Sequence, residues 1–276
     1  MSLPTRFVKM AGGGNDFLLF EADGRRLTQE DRRRIALLCR RGLSVGADGA
    51  LFLSGGKEGR IHLDYFNADG GLASFCANGT RCAARYAVTR RLAAGDSPVL
   101  ETGWAVIQAR VADDLVTLEL PALPPPGKPV EVRGEGLPAT GIPIEVGVPH
   151  LVVFVDGDLE ELAIKSLAPP LRRHPELPEG ANVNFVKVTG PHSIAVRTYE
   201  RGVEGETLAC GSGVVASAVV AAREGLAAPP IVCVTKSTVA FTVAFVQRDG
   251  GVVEASLTGD AREIFEAELN EEAWQE

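Results

Sequence analysis

Residues 200–222, ERGVEGETLACGSGVVASAVVAA, hold a cysteine followed by Gly-Ser-Gly and then a run, Val214 to Ala222, in which Ser217 is the only polar side chain. Such a run reads as a helix that is apolar on every side and therefore buried, with Cys210 at its first turn. Unpaired backbone N–H groups and the positive dipole end at a helix N-terminus lower a thiol's pKa and attract an anion. The same device occurs earlier, in FNADGGLASFCANGTRCAARYAV from Phe66. Aligning Cys76 with Cys210 places Gly79 on Gly213 and Ala84 on Ala218, and Tyr65 and Tyr199 stand equally far upstream. An internal duplication of this kind predicts two similar halves related by a pseudo-twofold, each bringing one thiol and one helix N-terminus to a shared cleft.

The rest of the chain is consistent with that plan. At 276 residues it is long enough for two domains with real cores, and 45% hydrophobic with 23% charged residues is the balance of a globular protein. A net charge of −8 argues against nucleic acid or anionic membrane as a partner, since both need a basic footprint. No apolar run is long enough to span a bilayer, and MSLPTRFVKM lacks the apolar stretch of a secretory signal, so the cytoplasm is the expected location. The five cysteines lack C-x-x-C spacing, so neither a disulfide framework nor a zinc site is expected. Cys39, Cys82 and Cys233 lie in apolar-periodic segments and read as packing residues.

In chain order, KMAGGGNDFLLF predicts a glycine-rich turn leading into a strand from Phe17 to Phe20. No Lys-Ser/Thr follows Gly12 to Gly14, which argues against a phosphate loop, and Asn15 reads on this stretch as a turn residue bonding its own backbone. Thr28 to Arg41 predicts a helix capped by Thr28 with Asp31 in the capping-box position, Ile35, Leu38 and Cys39 inward, and Arg32, Arg33 and Arg34 on a solvated face. Arg60 to Phe66 alternates as a half-buried strand. The first cysteine-led helix is expected over Cys76 to Ala94, closed by Gly95, with strands at Val99–Thr102, Ala105–Val111 and Val116–Leu120. The Pro- and Gly-rich run from Pro121 to Gly141 marks a boundary, giving domains of 1–121 plus 261–276 and of 122–260. Beyond it come strands flanking Gly147 to His150, then a short helix over Leu159–Leu167 that Pro169 and Pro170 end. Strands at Asn182–Val188, Ser193–Glu200, Val232–Lys236, Val239–Val246 and Val252–Leu257 complete an α/β (α+β) reading, with a tail from Ala261 returning to the first domain.

Two thiols facing one another beside helix N-termini suit one chemistry well. Inverting a stereocentre next to a carboxylate requires a proton to leave one face and another to arrive on the opposite face. A thiolate and a thiol on either side achieve this without moving the substrate. The N–H groups hold the charge that develops on the carboxylate.

At this point a resemblance becomes specific. Phe66-Asn67-Ala68-Asp69-Gly70, Cys76-x-Asn78-Gly79-x-Arg81-Cys82, Glu200-Arg201-Gly202 and Glu206-Thr207-Leu208-Ala209-Cys210-Gly211-Ser212-Gly213 resemble the signatures of the diaminopimelate epimerases. Gly14-Asn15-Asp16-Phe17, Pro149-His150 and Asn182-Val183 resemble the flanking motifs, in the same order. The resemblance implies two similar domains, each a curved, mostly antiparallel sheet wrapped around a central helix. It also implies a cofactor-independent enzyme that interconverts LL- and meso-2,6-diaminopimelate for lysine and cell-wall synthesis, and a homodimer. Carried over, it makes Cys76 and Cys210 the acid/base pair and gives the backbone at Ala77-Asn78 and Gly211-Ser212 the reacting carboxylate. The same resemblance implies that Asn15, Asn67, Asn182, Glu200 and Arg201 recognise the substrate, and that His150 and Glu200 help to set the charge state and position of the thiols. The pattern departs from the family at Gly49, at Gly71-Leu72, at Ala77 and at Val148, and there is one extra residue between Arg201 and Glu206. Two other readings stand beside this one: a racemase of another amino acid such as histidine, and a non-catalytic amino-acid-binding protein on the same scaffold.

Overall fold

The computed structural model describes residues 3–248 and 251–275. The first part of the chain forms β1 (Arg6–Gly12), β2 (Asn15–Glu21), α1 (Gln29–Leu38), β3 (Gly49–Gly55), β4 (Ile61–Asn67), β5 (Leu72–Ala73), α2 (Ala77–Thr89), β6 (Val99–Glu101), β7 (Val106–Ala112) and β8 (Leu115–Leu120). It continues with β9 (Val130–Glu131), β10 (Thr140–Val146), β11 (Val148–Phe154), α3 (Ile164–Arg172), β12 (Asn182–Gly190), β13 (Ser193–Glu200) and β14 (Gly205–Thr207). The last elements are α4 (Gly211–Arg223), β15 (Ile231–Thr235), β16 (Ala240–Arg248), β17 (Gly251–Asp260) and β18 (Arg262–Glu268). The chain divides into two compact units, Met1–Leu118 with Gly259–Glu276, and Glu119–Thr258. Among the described residues no helix is long and apolar enough to cross a membrane.

In the first unit the strands run β18-β1-β2-β3-β4-β6-β7 across the sheet, with β5 folded back on β4. Strands such as FLLF and ALFL are apolar at consecutive positions because helices cover both faces. On one face Ile35 and Leu38 of α1 pack with Leu18, Phe20, Phe52 and Phe66, the Phe20 and Phe52 rings stacked at 5.0 Å. On the other face α2 packs against strands from β1 to β7 and against β18, and it is buried along almost its whole length.

The second unit repeats the scheme with β10-β11-β12-β13-β15-β16-β17, and β14 folded back on β13. Here α3 covers one face through Ile164, Ala168 and Leu171, and α4 packs on β10 to β13, β15 and β16. The correspondence extends to strand sense. An antiparallel hairpin (β1–β2; β10–β11) is followed by a helix and a parallel neighbour (β3; β12). An antiparallel partner (β4; β13) and a short folded-back strand come next, then the buried helix and a strand parallel to that partner (β6; β15). Tyr65 and Tyr199 hold matching places, opposite Ala73 of β5 and Glu206 of β14.

Several elements differ from the sequence expectation. The glycine-rich turn joins two strands, because Gly13 and Gly14 take φ of 63° and 94°, the left-handed values of a tight hairpin turn. Helix α1 has the expected capping box but stops at Leu38; the chain turns at Gly42 and brings the Gly46 and Ala47 N–H groups back to the carbonyls of Leu38 and Cys39. Helix α2 stops at Thr89 rather than Ala94, with Arg91 at φ 58° and the Leu92 N–H on the Ala87 carbonyl. Pro169 and Pro170 do not end α3 but lie inside it. Its inward residues at 164, 168 and 171 are buried, and Lys165 and Ser166, whose carbonyls lose their i+4 donors to the prolines, are exposed.

Candidate active site

In the first unit, Cys76 is extended (φ −141°, ψ 109°) and acts as N-cap of α2, its Sγ accepting from the Gly79 N–H at 3.4 Å. It is half-buried, and its carbonyl accepts from the Thr80 N–H and hydroxyl, each at 2.8 Å. Ala77 is the first helical residue and is not among the residues with positive φ, so its backbone carries a Cβ without strain. Its N–H, like that of Asn78, belongs to the first turn, which has no intrahelical acceptor.

The Asn78 side chain is oriented by Arg81, which is fully buried. The Arg81 guanidinium donates to Asn78 Oδ1 at 2.7 Å, to the Ala77 carbonyl at 3.3 Å and to the Asp260 carbonyl at 3.2 Å. Burial lowers its pKa, against the opposing pull of Cys82, Asp260 and Cys76. Asn78 Nδ2 then donates to Asn15 Oδ1 at 2.7 Å, and Asn15 Nδ2 donates to Asp48 Oδ2 at 2.9 Å. Asn15 is thus tied across the sheet to α2 and to the loop before β3, rather than to its own backbone. Beyond it, Arg41 binds both Asp48 (2.8 Å) and Asp16, and Lys9 pairs with Asp16 at 2.7 Å. Burial is the largest influence on Asp16 and raises its pKa, but Arg41 and Lys9 together hold the carboxyl below its ordinary value. Asn67 closes β4 at an exposed position opposite Gly49. Gly49 has no room for a side chain, because a Cβ would meet the Phe66 carbonyl and lie 2.7 Å from the Tyr65 ring.

In the second unit Cys210 is the N-cap of α4, extended at φ −122° and ψ 110°, and buried. Its Sγ lies 3.5 Å from Ser212 Oγ, and Ser212 Oγ lies 3.1 Å from His150 Nε2. His150, on β11, is fully buried, and burial foremost, then the charge of Arg201, pushes its pKa down to about 3, so the imidazole is neutral. Its Nδ1 is 3.1 Å from Asn184 Nδ2, and Asn184 Oδ1 accepts from the Thr198 hydroxyl at 3.0 Å. Opposite His150 on β12 stands Asn182, whose Oδ1 accepts the Arg201 N–H at 2.7 Å. Glu200 accepts from the Thr207 hydroxyl at 2.6 Å, and the Arg201 guanidinium reaches the Glu179 carbonyl at 3.0 Å. Val148 opens β11, half-buried, opposite Val146.

The second unit therefore gathers Cys210, Gly211, Ser212, His150, Asn182, Glu200 and Arg201, and the first gathers Cys76, Ala77, Asn78 and Asn15. Sequence reasoning gave no role to Arg81, Asp48, Asn184 or Thr198. Asn182 and Asn184 sit two apart on a strand and so share a face, and a second amide there was the available signal that the face is not simply core. Cys39, Cys82 and Cys233 are buried, and burial pushes each thiol up to about 12. Among the described residues no three His, Cys, Asp or Glu side chains converge so as to hold a metal ion.

A family profile described as diaminopimelate epimerase matches residues 7–115 and 143–266. The diaminopimelate epimerase of Aquifex aeolicus (strain VF5) is 37% identical over 279 residues, spanning 96% of this chain and 98% of its own. That of Archaeoglobus fulgidus is 38% identical over 274 residues, spanning 92% of this chain and 90% of its own. Among solved structures, a Bacillus anthracis phenazine biosynthesis protein of the PhzF family shares the fold, with a TM-score of 0.73 over 96% of this chain and 99% of its own at 16% identity.

Proposed function

Because this chain belongs to the diaminopimelate epimerase family, we propose that it is an isomerase that interconverts LL- and meso-2,6-diaminopimelate, in lysine and cell-wall precursor synthesis. The observation that carries the reading is the doubled device: two cysteines, each the extended N-cap of a buried 13-residue helix, in matching places of two like-folded units. One of Cys76 and Cys210 takes the α-proton as thiolate while the other, as thiol, delivers a proton to the opposite face; the reverse reaction exchanges the roles. Between the two transfers the negative charge spreads onto the α-carboxylate. The N–H groups of Ala77-Asn78 and Gly211-Ser212 are the donors for that charge, and losing one such donor costs about 3–4 kcal/mol of barrier in comparable oxyanion sites.

The remaining polar groups fit the recognition of a second amino-acid end. Asn15 spends one amide hydrogen on Asp48 and keeps another for substrate, and Asn182, its oxygen taken by Arg201, presents its NH2. Arg201 suits a carboxylate and Glu200 an ammonium, with Asn67 at the end of β4 completing the set. His150 and Glu200 act on the thiols rather than on the substrate carbon. The reading extends to a homodimer acting in the cytoplasm, as the family resemblance implies; light scattering on the purified protein tests the dimer.

The decisive experiment follows the α-hydrogen in D2O without added pyridoxal phosphate. LL-diaminopimelate is expected to become meso with deuterium at the inverted carbon, and Cys76→Ala and Cys210→Ala are each expected to lose inversion, a single general acid or base being worth about 10²–10⁴-fold. Inversion of another amino acid with none of diaminopimelate, or full inversion by either alanine variant, overturns the proposal.

A further inference from the structure

The polar chain behind Cys210 has a direction, and Asn184 sets it. Asn184 is fully buried on β12 and its amide is fixed at both ends. Nδ2 lies 3.4 Å from the Leu151 carbonyl, which can only accept, so the NH2 group occupies that side; Oδ1 faces the Thr198 hydroxyl at 3.0 Å. With NH2 so placed, His150 Nδ1, 3.1 Å away, is an acceptor. A neutral ring that accepts at Nδ1 carries its proton on Nε2. Nε2 then donates to Ser212 Oγ at 3.1 Å, and the Ser212 proton is left to point at Cys210 Sγ, 3.5 Å away. In the opposite tautomer Ser212 would give its proton to Nε2, and the sulfur would lose a donor.

We infer that Asn184 is a positioning residue for the proposed reaction: by holding His150 in its Nε2–H tautomer it commits the Ser212 hydroxyl as a donor to the Cys210 sulfur, and so favours the thiolate there. This rests on Cys210 being one of the two proton-transfer groups. The residues opposite or bonded to His150 are Ile144 on β10, Asn182 and Asn184 on β12 and Ser212 on α4, all uncharged; the charge that acts on the ring is that of Arg201. Gly213 belongs to the same arrangement, since a Cβ there would overlap Asn184 Oδ1.

Long-range proton–nitrogen correlation on the unsubstituted protein reads the tautomer directly, and with four histidines in the chain the signals are assignable. A proton on Nε2 of His150 is expected; a proton on Nδ1 overturns the inference. The pH dependence of alkylation, resolved for each cysteine by mass spectrometry, provides the second readout. Asn184→Leu, similar in volume but without an amide, is expected to raise the Cys210 midpoint by about 1–2 pH units, the worth of one hydrogen bond to a charged group. It should leave the Cys76 midpoint in place and add nothing further in a Ser212→Ala background. Equal shifts at both cysteines, or an Asn184→Leu effect undiminished by Ser212→Ala, overturn it. None of these readouts uses substrate, so they fail separately from the epimerase reading, which fails instead if Cys210→Ala still inverts.

Discussion

The two cysteine motifs place a glycine at the same turn of their helices, yet the same substitution there should be costly in one and nearly neutral in the other. In the first unit a Cβ on Gly79 would meet Leu51 Cδ2 at 2.9 Å, Phe17 Cε1 at 3.6 Å and Cys76 Cβ at 3.7 Å. The one close contact is the end of a flexible side chain, so the cost is below about 1 kcal/mol and is offset by the similar gain of alanine over glycine in a helix. In the second unit a Cβ on Gly213 would overlap Asn184 Oδ1 and lie 3.2 Å from Thr198 Oγ1 and 3.3 Å from Asn184 Cγ. Asn184 is fully buried and bonded to Thr198, His150 and the Leu151 carbonyl, so relief requires giving up those bonds, at about 1 kcal/mol each. After the helix gain of about 1 kcal/mol, Gly213→Ala should destabilise by about 2 kcal/mol, against roughly zero for Gly79→Ala. It should also slow inversion by about 10–100-fold, as the His150 tautomer is released. Both tryptophans, Trp104 and Trp274, lie in the first unit, so fluorescence would miss the effect; amide hydrogen exchange along α2 and α4 reads each unit in place. If the two variants exchange alike and Gly213→Ala turns over as the parent does, the argument from packing is wrong.

His150 makes stability depend on pH below neutrality. Its folded pKa is depressed to about 3 against an ordinary value of 6.5, so its contribution is fully present above pH 6.5 and is lost as acid protonates the unfolded chain first. Between pH 7.5 and pH 5 this group alone should cost about 2 kcal/mol; urea midpoints should fall accordingly, and His150→Gln should flatten that slope. Asp31 closes the capping box of α1, accepting from the Thr28 N–H at 2.9 Å and from Arg25 at 2.8 Å, and Arg25 above all holds its carboxyl well below the usual range. Asp31→Ala should destabilise by about 1–3 kcal/mol in denaturant, and the loss should shrink only as pH falls below about 4, where the carboxylate in the unfolded chain takes up its proton.

The cysteines were legible in the sequence because an N-capping thiol, a glycine at the third helical position and an apolar run form a local pattern, and local patterns survive folding unchanged. Strand boundaries such as Ser193–Glu200 were legible for the same reason, through alternation bounded by turn residues. What was not legible depends on partners distant in sequence. Arg81 reads as one more polar residue in a helix until the Asp260 carbonyl, 179 positions away, is seen to cover it. Asn15 reads as a turn amide until Asn78 and Asp48 close on it from two other elements. The misplaced end of α3 has another cause: Pro169 and Pro170 argue locally against a helix, and only the burial of Ile164, Ala168 and Leu171 against β12 and β13 overrides them.

The return of β18 to pair with β1 carries a consequence for biosynthesis. A ribosome releases β1 long before β18, and every strand of the second unit emerges in between. The half begun first is therefore finished last, with an open strand edge waiting through most of translation. The time taken to synthesise the stretch between β1 and β18, which holds the whole second unit, sets how long that edge stands bare in the cell.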